Sequence, residues 1–263
     1  GLGIGSRVFP NKEELKDAFR ISCPGDERAF ERLEHAFEAV LDPQAILFDL
    51  DGVLADVSRS YRMSIIETAK SFGVEITLDD ISAIKAQGNA NNDWDVTQRL
   101  LASRGVELSL AEVTERFESI YQGTEEAPGL RSTETLMVER SWLESLRKRY
   151  PLAIVTGRPR EDAVRFLREK EILDLFETLV CMEDAELKPN PAPVRLALSR
   201  LGLERAWMLG DTPDDLVAAR GAGVVPVGVV PPGEPPENVT KTLSSAGAAC
   251  VLEKTEQLME RLK

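Results

Sequence analysis

The sequence predicts a doubly wound α/β fold, in which a parallel sheet carries helices on both faces and an all-helical cap is inserted after the first strand. Three observations predict it. Short apolar runs bounded by turn residues recur along the chain, and amphipathic stretches separate them between Arg140 and Val230. The alternation is interrupted once, over Ser58–Arg140, by a segment with helical patterns alone. Strand–helix–strand alternation is typical of parallel sheets covered on both faces.

The first predicted strand is the apolar run from Ala45 to Leu50, which Asp51-Gly52 ends. Its continuous apolar character indicates a strand buried on both faces. Each such run alone could be a piece of buried helix, but their regular alternation favours strands. The further expected strands are Leu152–Thr156, Thr178–Cys181, Ala206–Gly210, Val224–Val230 and an edge strand at Ala248–Glu253. Core helices are expected at Arg160–Lys170, Pro193–Leu201, Asp214–Ala222 and Thr255–Lys263.

The insertion is predicted to lie above the carboxyl ends of the strands, where ligands bind in open α/β sheets. We therefore expect it to cap the site. Its predicted helices are Arg59–Phe72, Leu78–Ala86, Asp93–Ser103, Leu110–Gly123 and Ser132–Arg149. The expected division is an N-terminal extension (1–44), a core (45–57 and 141–263) and a cap (58–140).

Composition excludes several classes of protein. The 263 residues carry a net charge of -13, which disfavours binding to nucleic acid or to an anionic membrane. Three separated cysteines, Cys23, Cys181 and Cys250, indicate reduced thiols, and His35 as the single histidine excludes a Cys/His zinc site. The sequence has no apolar run of the ~18 residues that span a bilayer. Because Gly1–Phe9 does not look like a signal peptide, we expect a cytoplasmic protein.

An acidic motif follows the first predicted strand. Side chains alternate along a strand, so Asp49 and Asp51 point the same way at its carboxyl end. Neighbouring carboxylates repel each other unless a cation or a shared proton intervenes, and both are suited to Mg²⁺. Gly52 permits a tight turn and a close approach of the backbone to a ligand. Taken alone, D-x-D-G could also be an aspartate-rich turn.

Two later strands are also followed by residues that could bind phosphate. Thr156-Gly157-Arg158 could hold an anion through a hydroxyl and backbone N–H groups at a helix N-terminus, or be a simple turn. Lys188, which Pro189 follows in a stiffened loop, could neutralise both a phosphate and a carboxylate. An exposed loop lysine is the alternative.

The fourth strand ends in Gly210-Asp-Thr-Pro-Asp-Asp215. This segment adds Asp211 and Asp215 at the same sheet edge. Thr212, Pro213 and acidic residues also make a favourable helix N-terminus, so a capping role and a role in the site are compatible.

Together and in this order, the motifs resemble those of the haloacid dehalogenase superfamily across about 45–230. The first family motif, D-x-D-G-(T/V), matches Asp49–Val53, and the T/S motif matches Thr156. The K-P motif matches Lys188-Pro189, and G-D-x-x-x-D matches Gly210–Asp215. The resemblance implies a Rossmann-like core, and an insertion after the first motif is similar to the class with an all-helical cap.

The resemblance also implies phosphohydrolase chemistry. Asp49 would attack phosphorus and form an aspartyl phosphate. Asp51 would protonate the leaving-group oxygen and later deprotonate water. The true dehalogenases of the superfamily have no acid at the position of Asp51, because cleavage of a carbon–halogen bond needs no such proton.

The ligands of phosphate and metal are implied in the same way. Thr156, the Gly157 amide and Lys188 would bind the phosphoryl oxygens. Mg²⁺ is the expected cofactor, and four acidic residues are implied in its site. The Asp49 carboxylate, the Asp51 carbonyl and Asp211 would bind the ion, and Asp215 would orient a water molecule beside it.

Substrate specificity is expected in the cap. The polar segment Gln87–Trp94 could bind substrate groups through Gly88, Asn89 and Asn92, or simply cap a helix. Arg158 could contact a substrate anion or be a solvated surface arginine. The expected partner is a small phosphorylated metabolite.

Stretches of the N-terminal extension are similar to the carboxyl-terminal end of histidinol-phosphate-type aminotransferases. They are Ile4–Phe9, Phe19–Ser22, Gly25–Arg28 and Phe30–Leu41. In that family the arginine matching Arg20 binds a substrate anion, but its cofactor domain is not found here and no aminotransferase activity follows. The extension is either a linker or evidence of association or fusion with an aminotransferase, which would make histidinol phosphate a candidate substrate. Two helices are expected, Glu13–Phe19 and Glu27–Leu41.

Two alternatives stay open. A phosphomutase of the same superfamily would carry the same motifs. A binding protein with a vestigial site would also retain them.

Overall fold

The computed structural model of the protein describes residues 7–8, 19–20, 25–85, 92–124 and 126–262. The strands are β1 (Arg7–Val8), β2 (Phe19–Arg20), β3 (Ala45–Phe48), β4 (Ala55–Asp56), β5 (Thr135–Leu136), β6 (Leu152–Val155), β7 (Thr178–Val180), β8 (Ala206–Gly210), β9 (Val225–Val229) and β10 (Cys250–Leu252). The helices are α1 (Glu27–Leu41), α2 (Tyr61–Ser71), α3 (Leu78–Lys85), α4 (Asp93–Ser103), α5 (Leu110–Gln122), α6 (Arg140–Arg147), α7 (Arg160–Glu169), α8 (Ala192–Leu201), α9 (Pro213–Gly221), α10 (Pro236–Ala246) and α11 (Leu258–Arg261).

The main sheet has six strands in the order β10-β9-β8-β3-β6-β7, and every pair is parallel. The predicted doubly wound α/β core is therefore confirmed. β3 lies in the interior of the sheet and is completely buried, as its unbroken apolar run indicates. The carboxyl ends of β3, β6 and β8 meet at one edge, which is where the predicted motifs begin.

The alternation of side chains along β3 divides the core into two layers. Ile46 and Phe48 pack on one face of the sheet, and Ala45 and Leu47 on the other. The larger layer continues into the insertion, since it includes Phe117 of α5. The insertion thus shares one continuous apolar core with the sheet.

The insertion contains helices α2 to α5, close to the predicted bounds, but the expected helix Ser132–Arg149 is wrong. A short 3₁₀ turn, Leu130–Thr133, is followed there by β5 and then by α6. β5 pairs antiparallel with β4, and the Met137 amide donates to the Leu54 carbonyl at 2.8 Å. The hydroxyl residues Ser132 and Thr133 and the β-branched Thr135 favour this extended ribbon over a helix. The segment 58–140 is therefore not all-helical, and the division into domains stays a prediction.

The second predicted N-terminal helix is confirmed as α1. Asp26 caps it by accepting a 2.9 Å bond from the Ala29 amide, and the Trp207 indole donates to the Ala39 carbonyl at 2.8 Å, which fixes the helix to β8. Residues 13–18 lie outside the described residues, whereas Phe19 belongs to β2 rather than to a helix.

The carboxyl-terminal helix is shorter than expected. A 3₁₀ turn, Thr255–Gln257, precedes the four-residue α11. Across the described parts of the chain, no helix combines the length and apolar character needed to cross a membrane.

Candidate active site

Asp49 and Asp51 follow β3 at the carboxyl edge of the sheet. The Asp49 amide donates to the Leu209 carbonyl of β8 at 2.9 Å, which holds the residue in register, and the side chain is buried. The chain then turns at Gly52, whose φ of 71° favours glycine. A Cβ there would lie 2.2 Å from Asp211 Oδ2, so the glycine also allows Asp211 to approach the turn.

Asp211 and Asp215 come from the end of β8 and the start of α9. Thr212 caps α9, and its amide and hydroxyl donate to Asp215 Oδ2 at 3.0 and 2.6 Å. The predicted helix N-terminus is therefore present. It also fixes the Asp215 carboxylate at the sheet edge, because Asp215 is the third residue of the helix.

Three carboxylates meet at this edge. One oxygen each of Asp49, Asp211 and Asp215 lies within 4.8 Å of the others. The Lys188 ammonium reaches Asp49 Oδ1 at 2.9 Å, Asp215 Oδ1 at 2.6 Å and the Val155 carbonyl at 3.0 Å. Lys188 is buried, so the alternative of an exposed loop lysine is wrong.

The electrostatics of this cluster favour an additional cation. Burial raises the pKa of Asp49 to about 7; Lys188 opposes this, while Asp215 and Asp51 add to it. Burial, followed by Asp215 and Asp49, raises the pKa of Asp211 well above its usual range. Lys188 supplies one positive charge for three carboxylates, and an all-oxygen ligand set suits a hard divalent cation. The residues present therefore fit a divalent metal.

Thr156 and Gly157 lie at the end of β6, beside the cluster. The Thr156 amide donates to the Val180 carbonyl at 2.9 Å, and its hydroxyl accepts from the Arg158 amide at 3.1 Å. Gly157 and Asp51 both line a small cavity of about 20 Å³. The four motifs thus come together around one point of the sheet edge.

Arg158 is placed differently from the expectation that it contacts a substrate anion. Its side chain is 1% exposed, and its donors are used by the carboxylates of Asp51, at 2.5 Å, and Glu134, at 2.9 Å. The surface-arginine alternative is also wrong. The physical reason is that both neighbouring carboxylates are largely shielded from water and need a charged partner.

The predicted specificity segment is described only in part. Gly88 and Asn89 lie outside the described residues. Asn92 caps α4, because its side-chain oxygen accepts from the Trp94 amide at 3.0 Å, as the helix-capping alternative expects. It also lines the small cavity that contains Asp51.

A second cavity, which sequence patterns did not indicate, lies beside Asp211. It has a volume of about 330 Å³ and lies between the insertion and the loop after β9. Its polar lining includes Arg62, Ser82, Lys85 and Glu234. Sequence patterns place Arg62 and Ser82 on helices, but their contacts with a residue more than 150 positions away arise only from the tertiary fold.

The family model for haloacid dehalogenase-like hydrolases matches residues 46–229, which is more than half of the chain. The chain belongs to the haloacid dehalogenase-like hydrolase family. The match spans β3 to β9, and so includes all four motifs and the insertion of this family member.

Two curated relatives extend the comparison. An imidazoleglycerol-phosphate dehydratase of Phytophthora nicotianae is 44% identical over 225 residues, which cover 80% of this chain and 50% of that protein. The haloacid dehalogenase-like chain thus spans half the length of that relative. A phosphoglycolate phosphatase of Pectobacterium atrosepticum is 31% identical over 71% of this chain and 80% of its own length.

A solved structure has the same fold. A Thermotoga maritima protein proposed to be a β-phosphoglucomutase is 26% identical and superimposes with a TM-score of 0.60, over 82% of this chain and 97% of its own. The superposition spans most of the chain, as expected for a haloacid dehalogenase-like fold.

Proposed function

We propose that the protein is a magnesium-dependent phosphohydrolase that removes phosphate from a small phosphorylated metabolite through an aspartyl phosphate at Asp49. The observation that carries the proposal is the buried group of Asp49, Asp211 and Asp215 around the Lys188 ammonium. A nucleophilic carboxylate, a metal site and a phosphate-binding cation are what this reaction requires.

In the first step, an Asp49 oxygen forms a bond to phosphorus while the bond from phosphorus to the leaving-group oxygen breaks. Asp51 donates its proton to that oxygen, which leaves as an alcohol. In the second step, Asp51 takes a proton from water, and the water oxygen attacks phosphorus. The bond between Asp49 and phosphorus breaks, and inorganic phosphate is released.

Thr156, the Gly157 amide and Lys188 are proposed to bind the phosphoryl oxygens. Asp49, the Asp51 carbonyl and Asp211 would hold Mg²⁺, and Asp215 would orient water beside it. When bound, the ion would neutralise the carboxylate cluster and the charge that builds up on phosphate. The Lys188 ammonium would add to both effects, because it contacts Asp49 and Asp215 of the cluster and would also bind a phosphoryl oxygen.

For the substrate, the relative named as an imidazoleglycerol-phosphate dehydratase directs attention to phosphate esters that bear an imidazole. Histidinol phosphate, which the resemblance of the N-terminal extension also suggests, belongs to this class. We propose such an ester as the first substrate to test. An association with an aminotransferase stays a prediction, because most of residues 1–24 lie outside the described residues.

A phosphomutase is the second candidate function. The likeness to the Thermotoga maritima protein proposed to be a β-phosphoglucomutase is the observation that favours it. A mutase would return the phosphoryl group from Asp49 to a second hydroxyl of a sugar phosphate instead of giving it to water.

The test is release of inorganic phosphate from a panel of small phosphomonoesters, with Mg²⁺ and with chelator. The panel contains histidinol phosphate, phosphoglycolate and β-glucose 1-phosphate, the last also with a sugar bisphosphate activator. Asp49→Asn is compared with Asp174→Asn, which replaces an exposed aspartate paired with Arg140.

Turnover that requires Mg²⁺, is lost in Asp49→Asn and is kept in Asp174→Asn is the expected result. Isomerisation of the sugar phosphate without phosphate release would favour the mutase. Absence of any turnover, together with absence of Mg²⁺ binding by calorimetry, would favour a vestigial site and overturn the proposal.

A further inference from the structure

We propose that Arg158 is a positioning residue that aims the Asp51 carboxylate at the leaving-group oxygen, and that Glu134 in turn fixes Arg158. The inference rests on the proposed phosphohydrolase function and adds two residues to it. The first observation is exposure: the Asp51 side chain is 28% exposed, whereas that of Arg158 is 1% exposed. Asp51 is therefore the accessible member of the pair, and the Arg158 guanidinium is covered and in contact with it.

The geometry at Asp51 leaves one oxygen for proton transfer. Nε of Arg158 donates to Asp51 Oδ1 at 2.5 Å, and Nη2 lies 2.5 Å from the same oxygen as part of the ion pair, without a hydrogen-bond partner among the described residues. Because both nitrogens lie against one oxygen, the contact holds Oδ1 in place and leaves the other carboxylate oxygen turned away from the guanidinium. Because both contacts are made to Oδ1, Oδ2 is the oxygen that would carry the proton to the leaving group.

The guanidinium is itself held on every side. The rings of Tyr61 and Phe166 lie 4.9 and 5.2 Å from its central carbon. Its remaining terminal nitrogen, Nη1, donates to Glu134 Oε2 at 2.9 Å. Rotation of the Arg158 side chain would therefore break contacts in three directions.

Glu134 is the buried anchor of this arrangement. Its Oε1 accepts from the Ser60 hydroxyl at 2.8 Å and from the Tyr121 hydroxyl at 3.0 Å, and the residue is 4% exposed. Both carboxylate oxygens thus have donors, which makes the network rigid. A glutamate buried at such a cost of desolvation needs the Arg158 charge beside it.

The anchor lies where the insertion joins the core. Ser60 follows the entry strand β4, and Glu134 immediately precedes the return strand β5, which pairs with β4. The orientation of the Asp51 side chain therefore depends on the positions of the two chain segments that connect the insertion to the core. We infer that the acid is aligned when the entry and return segments of the insertion are in place.

The primary test variant is Arg158→Lys, which keeps the charge but loses the Nε hydrogen bond to Asp51 and the planar guanidinium that Glu134 holds. Glu134→Gln is the second variant, since it keeps the shape and one acceptor oxygen of the anchor and removes its charge. The matched control is Arg140→Lys, which alters a partly exposed arginine whose two terminal nitrogens donate to the two carboxylate oxygens of Asp174. Circular dichroism and thermal unfolding establish that each variant is folded.

The readout compares leaving groups. For the best alkyl phosphate of the panel, Arg158→Lys is expected to lower kcat about ten- to a hundredfold, the effect of a small misplacement of a reacting group. With p-nitrophenyl phosphate, whose leaving group departs without a proton, Arg158→Lys should release one equivalent of nitrophenol rapidly and then turn over slowly, because the second step still needs Asp51. Loss of this rapid phase in a folded variant would overturn the proposal.

A double-mutant cycle with Asp51→Asn decides whether Arg158 acts through Asp51. Once Asp51 is replaced, Arg158→Lys should cost less than about twofold in addition, since the two changes remove one function. Equal losses in both backgrounds, or an effect no larger than that of Arg140→Lys, would refute the positioning role. Failure of the wild-type protein to hydrolyse any ester, by contrast, refutes the proposed function itself.

Discussion

The Glu234 carboxylate, on the loop after β9, accepts a 2.7 Å hydrogen bond from the Arg62 guanidinium of α2 and so joins the core to the insertion. Ser82 of α3 donates to the same oxygen at 2.5 Å. The side chains of the ion pair are 10% and 15% exposed, so water screens it less than a surface pair. The three residues also form part of the wall of the cavity beside Asp211.

Replacement of Glu234 by glutamine should therefore loosen the insertion. The change keeps the size of the side chain but leaves the partly buried Arg62 charge without its counter-ion. We expect a loss of about 1–3 kcal/mol in the free energy of unfolding, measured by urea denaturation, and faster amide exchange in α3. Glu253→Gln, at an exposed position, is the control and should change little. Equal stability of the two variants would show that Arg62 finds water or another partner at no cost.

The sequence was sufficient to predict the sheet and the elements that carry the motifs. The run Ala206–Gly210 has the predicted bounds because every residue in it is buried, and burial on both faces imposes an unbroken apolar pattern. The capping role of Thr212 was predictable for a different reason, since a helix N-terminus is encoded by neighbouring residues.

The partners of the charged residues were not predictable in the same way. Arg158 was expected to contact a substrate anion, whereas the structure pairs it with Asp51 and with Glu134, which lies in a segment wrongly expected to be helical. A pattern of apolar residues reports which face is buried and says nothing about which charges meet after folding. Glu234 and Arg62, 172 positions apart, are a further example.

The tie between α1 and the sheet can be tested at Trp207. Trp207→Phe keeps an aromatic ring but removes the indole N–H that donates to the Ala39 carbonyl at 2.8 Å. We expect a loss of about 1–2 kcal/mol in unfolding free energy and faster amide exchange in α1. The control is Trp142→Phe, because the Trp142 indole nitrogen has no hydrogen-bond partner in the described part of the chain. An equal loss from Trp142→Phe would mean that packing, and not the hydrogen bond, accounts for the effect.

Gly52 tests how closely the first motif and Asp211 must approach each other. In Gly52→Ala, the new Cβ would lie 2.2 Å from Asp211 Oδ2, so the carboxylate has to move aside. We expect Mg²⁺ affinity to fall about tenfold or more, the scale found when supports of a metal ligand are disturbed. Calorimetric titration with Mg²⁺ measures this effect.

The matched control for Gly52 is Gly73→Ala. Gly73 has a similar φ of 78°, but a Cβ there meets nothing within 4 Å. Both variants should therefore lose about 1–2 kcal/mol from left-handed backbone strain, and only Gly52→Ala should lose affinity for Mg²⁺. Unchanged affinity in Gly52→Ala would show that Asp211 is not needed at its present position.

The carboxylate cluster predicts opposite effects of Asp211→Asn with and without metal. Without metal, the variant should be at least as stable as the wild type. Burial, and then the neighbouring Asp215 and Asp49 carboxylates, raise the pKa of Asp211 because they disfavour its charge, and asparagine carries none. With Mg²⁺ at about 100 times its Kd, the wild type gains roughly 2.7 kcal/mol, a rise of several degrees in Tm, whereas the variant should gain little. Thermal unfolding with chelator and with Mg²⁺ measures both effects. The control is Asp79→Asn, which replaces an exposed acid in the lining of the cavity beside Asp211. This variant should keep the full response to Mg²⁺. A full response in Asp211→Asn as well would mean that Mg²⁺ binds elsewhere. A metal that stabilises the fold by binding to this cluster must bind more weakly once one of the charged ligands has been removed.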